Sequence, residues 1–335
     1  MLGQFSDGYI LQLNSSIKDA TRNFLMPAKN IAKLGSYMVE EGILSLDKPE
    51  NLATFVTPFI ERYPQFNGYF VGTEDREFWF WHNTYAKDYN FRIQTIEKNA
   101  AGMLVEQKEY LDQQRKSLWF SKPVVAHQYD PTSRLWYKGA KTLKGGFWSD
   151  LYSFNSDPYQ IIPGITASFP IYDENNKLLG VWGVDIVLEE LSAFLSDIGA
   201  SRSADLVIFN EQEKVIAYSG FKDVAIKDKL LSLTDLNNAK METAITSYRN
   251  HGFSDFYFEE EGIRYLASYS SFVFGEEQGW SLLLVVRESQ LIEHMSLNLM
   301  VIMFFALIVL ITSLSALIYL FRHPVLVTVK QMVRR

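Results

Sequence analysis

The sequence predicts an α+β protein with a long N-terminal helix, two antiparallel-sheet modules and one transmembrane helix. Apolar residues recur at three- and four-residue spacing between Ile10 and Met38, which is the pattern of an amphipathic helix. Two later stretches contain runs rich in β-branched and aromatic residues with turn residues between them, as strands do. Near the C-terminus, residues 297–321 form an uncharged apolar run of about 25 residues, long enough to span a bilayer.

Composition limits the classes of function. A chain of 335 residues with 15% aromatic content is long enough for two domains with filled cores. The net charge of −7 argues against a nucleic-acid partner. The absence of Cys suits an oxidising compartment. The five His are scattered without metal-ligand spacing, so the sequence predicts neither a metal nor a cofactor.

The N-terminal segment, residues 1–46, is predicted to be a signalling helix. Pro27 interrupts its apolar series, so we expect a kink or break there. The apolar stripe has two possible roles, and each can hold over a different part of the helix. It covers the sheet of its own domain, or it forms a seam in a homodimer.

The first module is predicted to run over residues 47–187. Asp47 and Pro49 predict the start of a second helix. Two strand-like runs follow, joined at Glu74 and Asp75 in the manner of a hairpin. Residues 85–117 are rich in Gln, Lys and Glu, and we interpret them as a solvated helix or a mobile flap. Strand character resumes over residues 118–128.

Residues 129–185 combine a cationic group, aromatic groups and a carboxylate. Ser133 is positioned to cap a short helix on which Arg134 and Tyr137 share one side. Residues 161–171 and 178–186 predict a hairpin with a D-E-N-N-K turn. Asp185 lies between two apolar residues in the second strand, so its side chain should point to the opposite face of the sheet.

These groups could together hold a small zwitterion. A guanidinium binds a carboxylate through two parallel hydrogen bonds, and a carboxylate beside phenols suits an ammonium group. Taken singly, each aromatic residue is also explained by core packing, and Asp185 by a strand end or a helix cap. The spacing of the whole set favours the binding interpretation.

The spacing Y-x4-R-x-W-Y, then a further Tyr, then P-I-Y-D and G-V-W-G-V-D-I resembles the double Cache sensor domains of bacterial transmembrane receptors, in particular the subset that binds amino acids. The resemblance implies two PAS-like modules. It also implies that Arg and Trp hold the ligand carboxylate while Asp and Tyr hold its ammonium group. The matching positions are Tyr129, Arg134, Trp136, Tyr137, Tyr152 and Asp185.

The second module is predicted over residues 188–294. A short amphipathic helix from Leu188 leads into the runs A-D-L-V-I-F-N and K-V-I-A-Y, then a polar helix and three further strand-like runs. The module repeats the plan of the first but lacks its Arg-x-Trp-Tyr motif. We therefore interpret it as a spacer that relays motion.

The membrane assignments follow from residues 295–321, the predicted transmembrane helix. Basic residues without acidic ones follow this run, so the C-terminus is placed in the cytoplasm and residues 1–294 outside the bacterial inner membrane. Residues 322–335 resemble the start of a HAMP linker. Receptors of this type have another transmembrane helix ahead of the long helix, so we expect the chain to be a fragment of a longer receptor.

The sequence thus predicts a homodimeric membrane sensor of an α-amino acid, and it carries no enzyme motif; a catalytic output domain is expected only beyond Arg335. One alternative is a sensor of an amine, organic acid or other metabolite, for which Arg134 would not matter. Another is a protein-interaction ectodomain. That alternative predicts no cavity between Arg134 and Asp185.

Overall fold

The computed structural model of the protein describes residues 2–84, 88–126, 129–157, 160–220, 231–252, 254–274, 278–290, 301 and 303–319. Within these residues, no helix combines the length and the apolar character that crossing a membrane requires. Residues 303–319 are helical, but other positions of the predicted transmembrane segment, including 295–300, lie outside the described residues.

Helices and strands are interspersed along the chain, with five described α-helices ahead of the helical residues 303–319. Their bounds are α1 Leu2–Glu40, α2 Pro49–Arg62, α3 Leu135–Leu143, α4 Leu188–Arg202 and α5 Ala239–His251. The long N-terminal helix is confirmed. Pro27 lies inside α1, which continues past it, so the predicted break is absent.

The first sheet is antiparallel and contains both predicted hairpins. Its strands are β1 Phe66–Thr73, β2 Phe78–Asn83, β3 Phe91–Lys98, β4 Leu104–Leu111, β5 Ser117–Phe120, β6 Val124–Val125, β7 Phe147–Trp148, β8 Tyr152–Asp157, β9 Gln160–Tyr172 and β10 Leu178–Val187. Their order is β5-β4-β3-β2-β1-β10-β9-β7, with β6 beside β4 and β8 beside β9. The first strand, β1, thus pairs with the last, β10, inside the sheet.

The second sheet is smaller and also antiparallel. Its strands are β11 Ala204–Asn210, β12 Val215–Tyr218, β13 Asp255–Glu260, β14 Ile263–Phe274 and β15 Gln278–Arg287, in the order β12-β11-β15-β14-β13. The strand-like runs of the second predicted module all form strands. The observed architecture confirms an α+β fold with two antiparallel sheets.

One part of the secondary-structure prediction is wrong. Residues 85–117 contain β3 and β4 where we expected a solvated helix or a flap. In β3 every second residue is buried, from Arg92 to Ile96. The burial therefore has the two-residue period of a strand, but two of the three buried residues are Arg and Gln rather than apolar residues. Burial of polar residues on the sheet therefore hid these strands from a hydrophobic pattern.

Helix α1 contacts both sheets. Beside the first sheet, the backbone of Gly35 lies so close to the Trp182 ring that a Cβ on this residue would be 2.5 Å from it. The Ser36 hydroxyl donates to the carbonyl of Pro170 on β9, at 2.5 Å. Beside the second sheet, Asn14 Nδ2 donates to Ser268 Oγ on β14, at 2.6 Å. One helix thus bridges both sheets.

The two faces of the first sheet have different partners. Trp79, Trp81 and Trp182 belong to the core that includes the buried face of α1. The residues that alternate with them, Phe78, Phe80 and Val181, pack instead against α3 in a separate cluster. The second cluster surrounds the candidate site.

Candidate functional site

A short turn places the cationic group ahead of α3. The Asp130 carboxylate accepts from the backbone N–H of Thr132, at 2.9 Å, and this bond stabilises a 3-10 turn over Pro131–Ser133. Arg134 occupies the N-cap position of α3, with an extended backbone at φ −77°. The predicted cap, Ser133, therefore lies one residue too early. Asp130 supplies the side chain that organises this turn.

Helix α3 is fixed onto the sheet beside β9 and β10. The Ser168 hydroxyl on β9 donates to the carbonyl of Trp136, at 2.9 Å. The Trp136 side chain is 1% exposed and meets the Phe70 ring edge to face, with centroids 4.7 Å apart. These contacts set the position of the helix start, where Arg134 lies.

Between α3 and the sheet lies a pocket. Its empty volume is about 410 Å³, which includes space open to solvent. It is lined by Phe70, Phe78, Phe80, Gln94, Tyr129, Arg134, Trp136, Tyr152, Phe154 and Asp185. Five of the six predicted site residues are therefore brought together.

Asp185 enters the pocket from near the C-terminal end of β10. It faces away from Val184 and Ile186, as alternation along the strand predicted, and is 5% exposed. Its Oδ1 accepts from the hydroxyl of Thr166, directly opposite on β9, at 2.5 Å. Burial raises the pKa of Asp185 to about 8, although this hydrogen bond and the charge of Arg134 oppose the shift. In the empty pocket at pH 7 the carboxyl group is therefore mostly protonated.

Two phenols lie between the charged groups. The Arg134 guanidinium carbon is 5.9 Å from the centre of the Tyr129 ring and 5.7 Å from that of Tyr152. The Tyr152 hydroxyl is 2.6 Å from Thr166 Oγ1, which connects it to Asp185. Burial raises the pKa of both Tyr129 and Tyr152, so both hydroxyls remain protonated. The site therefore presents neutral phenols, which can donate or accept hydrogen bonds.

Tyr137 is the predicted site residue that does not line the pocket. It is fully buried, and its hydroxyl donates to Glu74 Oε1 at 2.8 Å. The same carboxylate accepts from Lys141 Nζ at 2.9 Å. Burial, then the hydrogen bond to Glu74, raises the pKa of Tyr137. These contacts join α3 to the turn between β1 and β2.

The sequence did not identify the opposite wall of the pocket. Phe70, Phe78 and Phe80 project from β1 and β2, and Gln94 from β3. The alternation F-W-F-W at residues 78–81 was a signal for part of this wall, because every second residue of a strand shares a face. Gln94 belongs to a segment that we did not predict as a strand.

The pocket distinguishes a ligand-binding role of Arg134 and Asp185 from a role in a protein-interaction ectodomain. An interaction ectodomain was predicted to have no cavity between them, whereas both residues line one pocket. Among the described residues, no group of three or more His, Asp or Glu side chains could hold a metal ion. The pocket instead contains a cation and a carboxyl group, set between aromatic walls.

Comparison with known families gives one match. Residues 52–193 match the family model described as the methyl-accepting chemotaxis protein-like, first PDC sensor domain. These residues include α3, the pocket and the whole of β10. No curated protein matches the chain.

Solved structures show the same fold at low sequence identity. The ligand-binding domain of the amino acid chemoreceptor PctB of Pseudomonas aeruginosa, in complex with L-Arg, has a TM-score of 0.53 and 14% identity, covering 84% of this chain and 95% of its own. That of CtaA from Pseudomonas fluorescens, with L-alanine, has a TM-score of 0.54 and 12% identity, covering 85% and 98%. That of PctC from Pseudomonas aeruginosa, with GABA, has a TM-score of 0.51 and 15% identity, covering 83% and 98%.

Proposed function

We propose that this chain is the sensing part of a bacterial transmembrane receptor, because residues 52–193 match the family model described as the methyl-accepting chemotaxis protein-like, first PDC sensor domain. It binds an α-amino acid in the first module, residues 47–187, and passes a conformational change through the second module, residues 188–294. The chain acts as a receptor rather than an enzyme. Similar folds carry amino acids in the chemoreceptors PctB and CtaA.

The observation that carries this proposal is the convergence of Arg134 and Asp185 on one aromatic pocket. Arg134 and the indole of Trp136 bind the ligand carboxylate, since guanidinium and indole are both hydrogen-bond donors. Asp185 with Tyr129 and Tyr152 binds the ammonium group. A ligand lacking either charge would leave a buried polar group unmatched, which disfavours it.

Protonation of Asp185 is coupled to binding in this arrangement. With a pKa of about 8, the empty site at pH 7 is nearly neutral at this end. An ammonium group beside it favours the carboxylate form, so binding expels a proton. The free site thus avoids an unpaired buried charge, and the ligand supplies the missing partner.

The membrane and dimer assignments are parts of the same proposal. All described side chains of residues 303–319 are exposed and uncharged, which supports a transmembrane helix over residues 295–321, with residues 322–335 entering the cytoplasm. Residues 1–294 then lie outside the inner membrane. On α1, Leu34 is 42% exposed and Tyr37 is 52% exposed, which supports a homodimer contact along residues 1–46.

Isothermal titration calorimetry on the full chain in detergent, with a panel of α-amino acids, amines and organic acids, tests the proposal. Asp185→Asn and Arg134→Met should each lower the affinity for α-amino acids about thirtyfold or more, as loss of one partner of a buried charge pair does. Asp197→Asn and Arg62→Met are matched controls, because Asp197 and Arg62 are exposed and outside the pocket.

The result decides between ligand classes. Amino-acid binding that survives intact in both pocket variants would contradict the site assignment. Binding of amines or organic acids alone would favour the second candidate, a sensor of another metabolite. The similar fold of PctC, which holds GABA, supports that candidate. If Arg134→Met bound an amine or organic acid with unchanged affinity, that result would confirm the second candidate.

A further inference from the structure

The wall opposite Asp185 contains one polar side chain among the described lining residues of β1, β2 and β3. Gln94 is 9% exposed and lines the pocket from β3. The strand order β3-β2-β1-β10 separates it from Asp185 by three inter-strand steps. At about 4.8 Å per step, these strands are roughly 14 Å apart. Gln94 therefore lies too far away to contact the α-amino group that Asp185 would hold.

The orientation of the Gln94 amide follows from its neighbour. Gln94 Nε2 donates to Glu106 Oε1 on β4, at 3.1 Å. A carboxylate only accepts hydrogen bonds, so the amide nitrogen faces Glu106 and leaves Oε1 as the acceptor. Glu106 is also paired with Lys108 Nζ, at 3.1 Å, which fixes the carboxylate in turn.

The surface between Asp185 and Gln94 is apolar. Phe70 on β1 pairs with Phe80 on β2. Their other cross-strand partners are Gly183 on β10 and Gln94 on β3, respectively. Their rings meet edge to face, with centroids 5.7 Å apart. A ligand side chain that crosses this surface would pack best if the crossing part consisted of methylene groups.

We propose that Gln94, oriented by Glu106, determines ligand specificity by selecting α-amino acids whose long side chain ends in an N–H donor. This inference rests on the proposed function. The phenylalanine wall packs against the aliphatic part of the side chain, and Gln94 Oε1 accepts from its terminal nitrogen. The shared chemistry is a terminal amide, ammonium or guanidinium group. A terminal carboxylate would face an acceptor with another carboxylate behind it, so acidic side chains are disfavoured.

Calorimetry on the full chain in detergent, with alanine, methionine, glutamine, glutamate, lysine and arginine, tests this inference. Glutamine and methionine have similar length, so their affinity ratio isolates the terminal donor. We expect glutamine, lysine or arginine to bind at least tenfold more tightly than methionine, and glutamate to bind more weakly than glutamine. Equal affinities for glutamine, lysine, arginine and methionine would overturn the inference.

The decisive variant is Gln94→Met, which keeps the length of the side chain and removes the acceptor. It should weaken binding of the donor-terminated ligand about tenfold or more, and leave alanine and methionine within about twofold. Gln114→Met, at an exposed position outside the pocket, is the matched control. If Gln94→Met fails to fold, Gln94→Leu takes its place. An unchanged glutamine-to-methionine ratio, or an equal loss for alanine, would overturn the inference.

Glu106→Gln distinguishes ligands with a terminal amide from ligands with a terminal cation. The substitution removes the negative charge, while its amide oxygen can still accept from Gln94. A loss for lysine and arginine with unchanged glutamine binding would show that the Glu106 charge contributes to recognition of a cationic side chain, whereas unchanged binding of all three would show that the Gln94 oxygen alone recognises the terminal donor. Failure of the proposed function has a different signature. In that case no amino acid binds the unmodified chain, or Asp185→Asn has no effect, and the specificity inference falls with it.

Discussion

Thr166 and Asp185 lie directly opposite each other on neighbouring strands, and the threonine hydroxyl donates to the carboxylate at 2.5 Å. Because the Tyr152 hydroxyl contacts the same threonine at 2.6 Å, three side chains form one chain of hydrogen bonds. When Asp185 is ionised, donation runs from Tyr152 through Thr166 to the carboxylate.

Thr166→Val keeps the shape of the side chain and removes this link. The ionised form of Asp185 loses a donor, so we expect amino-acid affinity to fall by about 1–3 kcal/mol. Calorimetry measures the loss. Thr54→Val, on an exposed part of α2, is the control. Unchanged affinity in Thr166→Val would show that the threonine does not support the carboxylate during binding.

The pH dependence of ligand affinity should report the titration of Asp185. With a pKa of about 8 in the free protein, deprotonation costs free energy below that pH. We expect the affinity to rise by up to tenfold per pH unit between pH 6 and 8 and to level off above 8. Calorimetry in buffers of different ionisation enthalpy counts the released proton. A flat profile between pH 6 and 8 would contradict the coupling.

The stability of the empty protein should respond to the same group with the opposite trend. The pKa of Asp185 is raised from 3.8 to about 8 on folding, so the protonated form favours the folded state. Its stabilising contribution is complete below pH 4 and is lost as pH rises through 8. The melting temperature relative to Asp185→Asn should therefore fall over this interval. A constant difference would mean that Asp185 is already ionised in the folded protein.

Tyr137→Phe distinguishes a ligand contact from a structural one. The hydroxyl donates to Glu74 rather than lining the pocket, so its removal should cost about 1 kcal/mol of stability and leave ligand affinity within twofold. Chemical denaturation and calorimetry measure the two effects separately. A large loss of affinity with unchanged stability would instead support the role that the family resemblance implied.

Gly35→Ala tests the packing of α1 on the first sheet. A methyl group at this position would lie 2.5–2.8 Å from three atoms of the buried Trp182 ring, so we expect a loss of about 1–3 kcal/mol of stability. Gly8→Ala is the control in the same helix, since nothing lies within 4 Å of its added methyl group. That variant should be neutral or slightly stabilising. Equal stability of both variants would show that the helix shifts freely on the sheet.

Some features of the site followed from local sequence, and others depended on distant pairing. Alternation along one strand was enough to place Asp185 on the face opposite Val184. Helical spacing could not decide that Trp136 lines the pocket while Tyr137 contacts Glu74, because the partners come from another hairpin. Gln94 was missed because β3 is rich in polar residues, and its role depends on strands that pair far apart in sequence.

The shared helix α1 also has a mechanical consequence. Its contacts at Ser36 and Asn14 are 22 residues apart, or about 33 Å along a helix. A rotation of about 5° around the upper contact would displace the lower one by roughly 3 Å, more than a hydrogen bond can stretch. A tilt of α1 that leaves its contact with the first sheet in place would therefore be enough to break the hydrogen bond of Asn14 to the second sheet.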